Sequence, residues 1–284
     1  MRKINAAQYI SHTRGRKRMA RFRIYIEYEG TRYSGWQIQP NARTVQGEIS
    51  AAVKNVFKTS SFEFYGSGRT DAGVHALLQV AHLDVNTVLG PEIIRMKLND
   101  ELPADINILE VEKAPPTFHA RHSAVARSYL YQISRRRTAF GKRYVWWIKD
   151  KLNVKSMQTA AVSFVGMKNF QSFTADSPDE KSTDVHIKSL EIREDGDLIL
   201  IRIFGSHFLW KMVRQIVGII VEVGRGNLTA EDVAGLLNHS SIVPAKYTAP
   251  PSGLFLERVY YGSEKQNYPL QPAIILLSIP GRKK

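Results

Sequence analysis

Hydrophobic and polar residues alternate in the first well-patterned stretch of the chain, where apolar side chains occupy every second position: Phe22, Ile24, Ile26 and Tyr28. A period of two predicts a β-strand. Over residues 45–56 the apolar positions instead recur at helical spacing, and Thr44 precedes them as an N-cap. Further patterns predict short strands at 62–64, 77–85 and 106–111, and a second helix opened by Pro91. This order of strand, helix, strand, strand, helix and strand is that of ferredoxin-like folds.

The second half of the chain repeats this mixture of elements. Its pattern predicts strands at 125–134, 185–193, 198–204 and 254–261, with a hairpin turn at 194–197. Helices are expected at 154–164, at 209–223 with Gly224 as its end, and after Thr229, whose Asp232 completes a capping box. We therefore predict an α+β fold of two lobes with mainly antiparallel sheets that could face each other. Ala114-Pro115-Pro116 marks the boundary, which gives lobes of 21–113 and 114–264.

Composition favours a soluble protein with a polyanionic partner. The formal net charge is +14, and basic excess of that size points to nucleic acid before membrane. Eight of the basic residues fall within positions 1–26, before the first acidic residue, so residues 1–20 form a basic extension. An RNA-contacting arm and a disordered solubilising tail fit that extension about equally. The chain has no cysteine, which excludes disulfides and suits a reducing cytoplasm, and its apolar run at 273–277 is too short to span a bilayer.

Residues 66–76, GSGRTDAGVHA, hold three glycines together with Arg69, Asp71 and His75, between two predicted strands. Closely spaced glycines allow unusual backbone angles and a close approach of the main chain to a ligand. The loop is not a P-loop, because it lacks the terminal Gly-Lys-Ser/Thr. It is not a Rossmann fingerprint either, because Asp71 stands where that motif has a glycine. A simpler interpretation of this loop is a turn in which Arg69 and Asp71 form an exposed ion pair.

Residues 68–76, GRTDAGVHA, resemble the catalytic segment of the TruA family of tRNA pseudouridine synthases almost letter for letter. Four other stretches extend the resemblance over about 21–262: FHAR at 118–121 with RSYLY at 127–131, NFQSF at 169–173, 208–218 with MVR at 212–214, and APPSGL at 249–254. Residues 1–20 and the tail at 265–284 lie outside it. The resemblance implies the pseudouridine synthase fold, with the catalytic loop in the cleft between the two lobes.

The resemblance also implies a reaction, the isomerisation of uridine to pseudouridine at positions 38, 39 and 40 of the tRNA anticodon arm. By motif position Asp71 is the nucleophile, attacking either ring C6 or sugar C1′. Tyr129 stacks on the flipped base and accepts the C5 proton, and Arg69 fills the gap left in the RNA stack or binds a phosphate. Arg214 stands on an otherwise apolar helix, where a surface arginine with a buried stem is the simpler interpretation. The motif match favours the other one, and we expect Arg214 to pair with Asp71 and keep that carboxylate ionised. The chemistry is not redox, so no cofactor and no metal are expected.

Other candidate RNA contacts carry simpler alternatives. His75 contacts RNA or makes a structural hydrogen bond within its loop. Arg135, Arg136 and Arg137 begin a basic and aromatic patch that extends to position 147, which suits single-strand contacts but also describes a solvated loop over buried tryptophans. His119 and His122 have a spacing compatible with metal binding, but no third ligand is evident.

Three other functions compete with the main prediction of a cytoplasmic, homodimeric tRNA-modifying enzyme. The first is a pseudouridine synthase with a different RNA target. The second is a non-catalytic RNA-binding protein of the same fold, which would have no use for a desolvated aspartate. The third, a glycosidase that releases free uracil, lacks an obvious second catalytic carboxylate.

Overall fold

The computed structural model describes residues 19–175, 182–264 and 268–276. In the first part of the chain the predicted order of elements is confirmed. The elements are β1 (Ala20–Tyr28), α1 (Val45–Phe57), β2 (Phe62–Gly66), β3 (His75–Val85), α2 (Pro91–Glu101) and β4 (Ile106–Ala114). The Thr44 hydroxyl accepts from the Gly47 N–H as the predicted N-cap of α1, and Pro91 opens α2.

The second part contains more elements than the pattern predicts. The helices and strands of this part are β5 (Ala124–Ser134), β6 (Trp146–Trp147), α3 (Val154–Ala161), β7 (Gly166–Asn169), β8 (Asp184–Asp195), β9 (Leu198–Gly205), α4 (Met212–Arg225), α5 (Ala230–Asn238), α6 (Val243–Lys246) and β10 (Leu254–Tyr261). The short elements β6, β7 and α6 were not predicted, because two to four residues are too few to show a period. The predicted capping box of Thr229 and Asp232 is present at the start of α5.

A single ten-stranded sheet runs through both predicted lobes, in the order β4-β1-β3-β10-β5-β9-β8-β7, with β2 paired to β3 and β6 paired to β5. Its pairings are mainly antiparallel, which confirms the predicted α+β class. The strands that the structure describes do not form two sheets that face each other. Instead, β10 lies between β3 and β5 and joins the two halves edge to edge. The division into lobes at 114–116 stays a prediction.

Strand β10 brings together two segments that are far apart in sequence. Leu256 is in register with Ala76 of β3 on one side and with Tyr129 of β5 on the other. Its neighbour Phe255 is in register with His75 and Leu130. Because successive side chains of a strand point to opposite faces, Tyr129 and His75 lie on opposite faces of the sheet.

The two faces are covered by different parts of the chain. The helices pack into one large core that includes Tyr129, Leu256 and Ala76. On the other face a smaller cluster contains Leu130 and Phe255, and it is completed by Leu270 from the C-terminal tail. The described residues 268–276 of that tail therefore pack against the sheet, a contact that the sequence pattern did not predict.

The long helix α4 begins and ends later than its apolar pattern predicts. Lys211 has a left-handed backbone (φ 61°), so the helix starts at Met212 rather than at 209. It ends at Arg225, and Gly226, which has φ 81°, caps it in place of the predicted Gly224. Gly224 has another role, because a Cβ there would lie 2.8 Å from the Met157 sulfur of α3. This glycine lets α3 pack closely against α4.

Candidate active site

The loop that carries Asp71 connects β2 to β3 and is fixed by contacts with residues 28–36. The Trp36 N–H donates to the Thr70 carbonyl (3.0 Å), and the Gly73 N–H donates to the Tyr33 carbonyl (3.3 Å). The buried Tyr28 hydroxyl shares a hydrogen bond with the Thr70 hydroxyl (2.8 Å). Thr70 is thus held by both its backbone and its side chain, which fixes the backbone on the N-terminal side of Asp71.

Two glycines allow this close packing. A Cβ on Gly30 would lie 1.9 Å from the Val74 carbonyl oxygen, and one on Gly35 would lie 2.6 Å from the Thr70 carbonyl oxygen. Gly35 also has φ 93°, a conformation that disfavours other residues. Glycines outside the catalytic segment are therefore needed to seat it.

Asp71 forms the ion pair expected from the sequence. Arg214 Nη1 donates to Asp71 Oδ2 at 3.0 Å, and Arg214 Nε donates to the Ala249 carbonyl at 2.7 Å. The two side chains are 23% and 15% exposed, so their charges are only partly screened by water. Arg214 belongs to the first turn of α4, whose N-terminal dipole also favours a nearby anion. The arrangement places a cation and a helix N-terminus beside a carboxylate that stays partly exposed to a substrate.

Trp210 is a second donor to Asp71, and it was not predicted. Its indole Nε1–H donates to Asp71 Oδ1 at 3.1 Å. The residue lies within the 208–218 motif but outside helix α4, so its spacing from Arg214 gave no indication of this contact. The two oxygens of Asp71 are therefore held by two different donors.

Tyr129 lies on the helix-covered face of the sheet, close enough to Asp71 to feel its charge. Its ring is 9% exposed and packs edge-on against Phe208, with centroids 5.0 Å apart. Burial raises the pKa of Tyr129 to about 12, with the Arg127 guanidinium opposing the rise and the Asp71 carboxylate adding to it. Tyr129 is therefore a neutral phenol at physiological pH. Its hydroxyl has no hydrogen-bond partner within the described part of the chain.

Two arginines flank the loop in different ways. Arg69 is exposed and makes no hydrogen bond or ion pair with any described residue, so its guanidinium is available to a ligand. Arg127 was not predicted as a site residue. It donates to the Ser67 carbonyl (2.8 Å) and to the Ser206 carbonyl (3.3 Å), and among the described residues it has no carboxylate partner. Arg127 thereby ties the start of the loop to the end of β9.

The geometry of His75 supports the structural alternative. The ring is 1% exposed; its Nδ1 accepts from the Gly30 N–H, and its Nε2 lies 2.9 Å from the Arg143 carbonyl. Burial lowers the pKa of His75, in keeping with a neutral ring that donates from Nε2. An RNA contact would require the ring to leave both partners and its stacking on Phe255, on the face of the sheet opposite Tyr129.

The predicted basic patch is partly neutralised by the hairpin between β8 and β9. Arg135 pairs with Glu194, and Arg136 donates to Asp197 Oδ2 at 2.9 Å. Arg137 lies over the ring of Trp147, which is 43% exposed. In this patch, Arg137 with Trp147 is the arrangement best suited to a nucleic acid, because an exposed ring and a cation lie side by side.

A family model described as tRNA pseudouridine synthase matches residues 24–123 and 160–262, which is more than half of the chain. The chain belongs to this family. The resemblance seen in its motifs is confirmed, and so is the enzyme class, an isomerase that converts uridine to pseudouridine. The helices of the described residues include none with the length and apolar character needed to cross a membrane.

Curated relatives agree over nearly the whole length. A tRNA pseudouridine synthase A of Halalkalibacterium halodurans is 39% identical, over 84% of this chain and 92% of that protein. The enzyme of the same name from Rhodopseudomonas palustris is 40% identical, over 86% of this chain and 100% of that protein. A chain in the crystal structure of a Cbf5-Nop10-Gar1 complex aligns with a TM-score of 0.31 and 11% identity, over 70% of this chain and 54% of that one, a likeness too weak to bear on the fold.

Proposed function

We propose that this protein isomerises uridine to pseudouridine at positions 38, 39 and 40 of the tRNA anticodon arm, with Asp71 as the nucleophile. The observation that supports this best is the partly exposed Asp71 carboxylate, paired with Arg214 and carried on a loop that hydrogen bonds hold in place. A buried or half-buried carboxylate without a cation tends to become protonated and cease to be a nucleophile. Arg214 supplies such a cation, with its Nη1 3.0 Å from Asp71 Oδ2.

Tyr129 is proposed to hold the flipped uracil by its ring face. Stacking on an aromatic ring contributes about 1–3 kcal/mol per base, which helps offset the few kcal/mol needed to extrude the target nucleotide. Because Tyr129 is a neutral phenol, it can accept the C5 proton only while it passes its own hydroxyl proton to water or to a substrate oxygen. Its lack of a described hydrogen-bond partner leaves the hydroxyl oxygen free for the substrate.

Arg69 is proposed to contact the RNA beside the extruded base, since it is exposed, cationic and two residues from Asp71. Arg137 with Trp147 is a second, more distant candidate contact. Arg135 and Arg136 contribute less, because acidic side chains already compensate their charges. The basic extension at 1–20 lies almost entirely outside the described residues, and an RNA-contacting arm stays a prediction there.

The proposal includes a homodimer and a cytoplasmic location, as the resemblance and the composition imply. Light scattering of the purified protein with and without tRNA tests the first. Fractionation of cells that express the native gene tests the second. A monomer that remains active on tRNA would remove the dimer from the account and leave the chemistry in place.

Mapping pseudouridine in tRNA from cells lacking the protein tests the substrate assignment. Loss at positions 38–40, restored by the wild-type gene but not by Asp71→Asn, is the expected result. Loss at another tRNA position or in another RNA would support the alternative of a synthase with a different target. An unchanged modification map, together with salt-sensitive tRNA binding by the purified protein, would instead support the non-catalytic RNA-binding protein.

A further inference from the structure

Trp210 contacts the proposed nucleophile at the oxygen that Arg214 does not bind. Its Nε1–H lies 3.1 Å from Asp71 Oδ1, whereas Arg214 Nη1 lies 3.0 Å from Oδ2. With one oxygen bound, a carboxylate can still rotate about its Cβ–Cγ bond. With a donor on each oxygen, its plane is defined.

We propose that Trp210 is a positioning residue that sets the plane of the Asp71 carboxylate for attack on the flipped uridine. This inference rests on the proposed function of Asp71. An indole N–H is a donor only and carries no charge, so it can orient the carboxylate through one hydrogen bond without forming a second ion pair. Reactions between held groups are sensitive to orientation, and a displacement of about 1 Å can cost about 100-fold in rate.

The backbone before α4 is shaped to place this indole. Lys211 has φ 61° and ψ 1°, a left-handed conformation that is uncommon for a residue with a Cβ. This turn ends the extended segment before the helix and puts Trp210 outside the helical ladder. The Lys211 ammonium lies 4.8 Å from the indole ring centre, and the Ala175 N–H donates to the Trp210 carbonyl (3.2 Å). Side chain and backbone of Trp210 are therefore both held.

About half of Trp210 is exposed, which suggests a competing role as a stacking surface for RNA. The two roles differ in the quantity they affect. An orienting donor changes the rate of the chemical step and leaves tRNA affinity unchanged. A stacking ring changes affinity and would act equally well without its N–H.

The test replaces Trp210 by β-(3-benzothienyl)alanine, in which sulfur takes the place of the N–H and the ring shape is kept. Single-turnover release of tritium from C5 of uridine in a tRNA transcript, and the Kd for the same tRNA, are measured for this variant and for wild type. We expect the rate to fall about tenfold, the order expected for a lost hydrogen bond to a charged group, with Kd within about twofold. Arg225→Met, at the opposite end of α4 from Arg214, serves as the control and should change neither quantity.

An unchanged or faster rate at position 210 would overturn the proposal, as would weaker tRNA binding with an unchanged rate. Wild type and Asp71→Asn in the same assay separate this failure from a failure of the proposed function. If wild type releases tritium, Asp71→Asn does not, and the Trp210 analogue equals wild type, only the role of Trp210 is refuted. If wild type releases none, the proposed function itself fails.

Discussion

Replacing Arg214 by methionine tests the electrostatic support of Asp71. Methionine keeps most of the apolar stem and removes both the charge and the two hydrogen bonds, to Asp71 Oδ2 at 3.0 Å and to the Ala249 carbonyl at 2.7 Å. A hydrogen bond to a charged group contributes about 1.5–3 kcal/mol, equivalent to roughly 10- to 150-fold in an equilibrium or rate constant. Because the Arg214 side chain is only 15% exposed, we apply little reduction for solvent screening.

The expected result is a fall of about 10- to 150-fold in kcat/KM for pseudouridine formation, measured by tritium release from a tRNA transcript. Arg214→Lys should lie between the methionine variant and wild type, because an ammonium keeps the charge but does not reproduce the forked geometry. Arg225→Met is the matched control. Arg225 lies at the other end of α4 and pairs with Glu222 and Asp150, so the activity of the Arg225→Met variant should stay within about twofold of wild type. Wild-type activity in a folded Arg214→Met protein would refute the reasoning.

Three further predictions use other parts of the structure. Tyr129→Phe should keep tRNA binding within about threefold and lower kcat by about 100-fold or more if the hydroxyl accepts the C5 proton, whereas a rate near that of wild type would limit Tyr129 to stacking. Burial lowers the pKa of His82 to about 4, so the unfolded chain binds the proton first as the pH falls below about 6.5. Protonation of His82 in the unfolded chain should therefore lower the unfolding free energy of wild type by about 2 kcal/mol between pH 7.5 and 5. In urea titrations, the decrease for His82→Gln over the same pH range should be smaller than that of wild type by about 2 kcal/mol. Gly30→Ala should destabilise the protein by about 2 kcal/mol or more and impair activity, because its Cβ would lie 1.9 Å from the Val74 carbonyl oxygen. The control is Gly90→Ala, whose Cβ would have no atom within 4 Å. Its unfolding free energy in the same titrations should stay within about 1 kcal/mol of wild type.

Local pattern predicted most elements well because their periods are long and clean. The strand β10 was predicted with its observed bounds, and the cap at Thr44 and the capping box at Thr229 were found from short motifs. The start of α4 was missed because the apolar residue Leu209 continues the helical pattern while the left-handed Lys211 interrupts the backbone. A backbone conformation of this kind has no hydrophobic signature.

The pairing of strands that are distant in sequence could not be predicted from the hydrophobic pattern. The contact between β10 and β3 involves only two register pairs, Phe255 with His75 and Leu256 with Ala76, and nothing in either strand alone names its partner. That pairing separates Tyr129 from His75 by the thickness of the sheet. It therefore accounts for the buried, structural position of a histidine that lies within the catalytic motif.

Of the two side chains that donate to Asp71, the sequence predicted one and not the other. Arg214 was predicted because it stands among apolar residues and lies within the motif shared with the family, and its contact with Asp71 is present. Trp210 gave no such signal, since a tryptophan beside apolar residues is typical of a core. Only the three-dimensional position of its N–H relates it to the carboxylate.

The most direct test of the central claim is tritium release from C5 of uridine in a tRNA transcript, with wild type and Asp71→Asn measured side by side. Asparagine keeps the shape of the side chain and removes the nucleophilic charge. We predict release by wild type and none above background by Asp71→Asn, with both proteins binding tRNA. Equal release by the two proteins would contradict the assignment of Asp71 as the nucleophile.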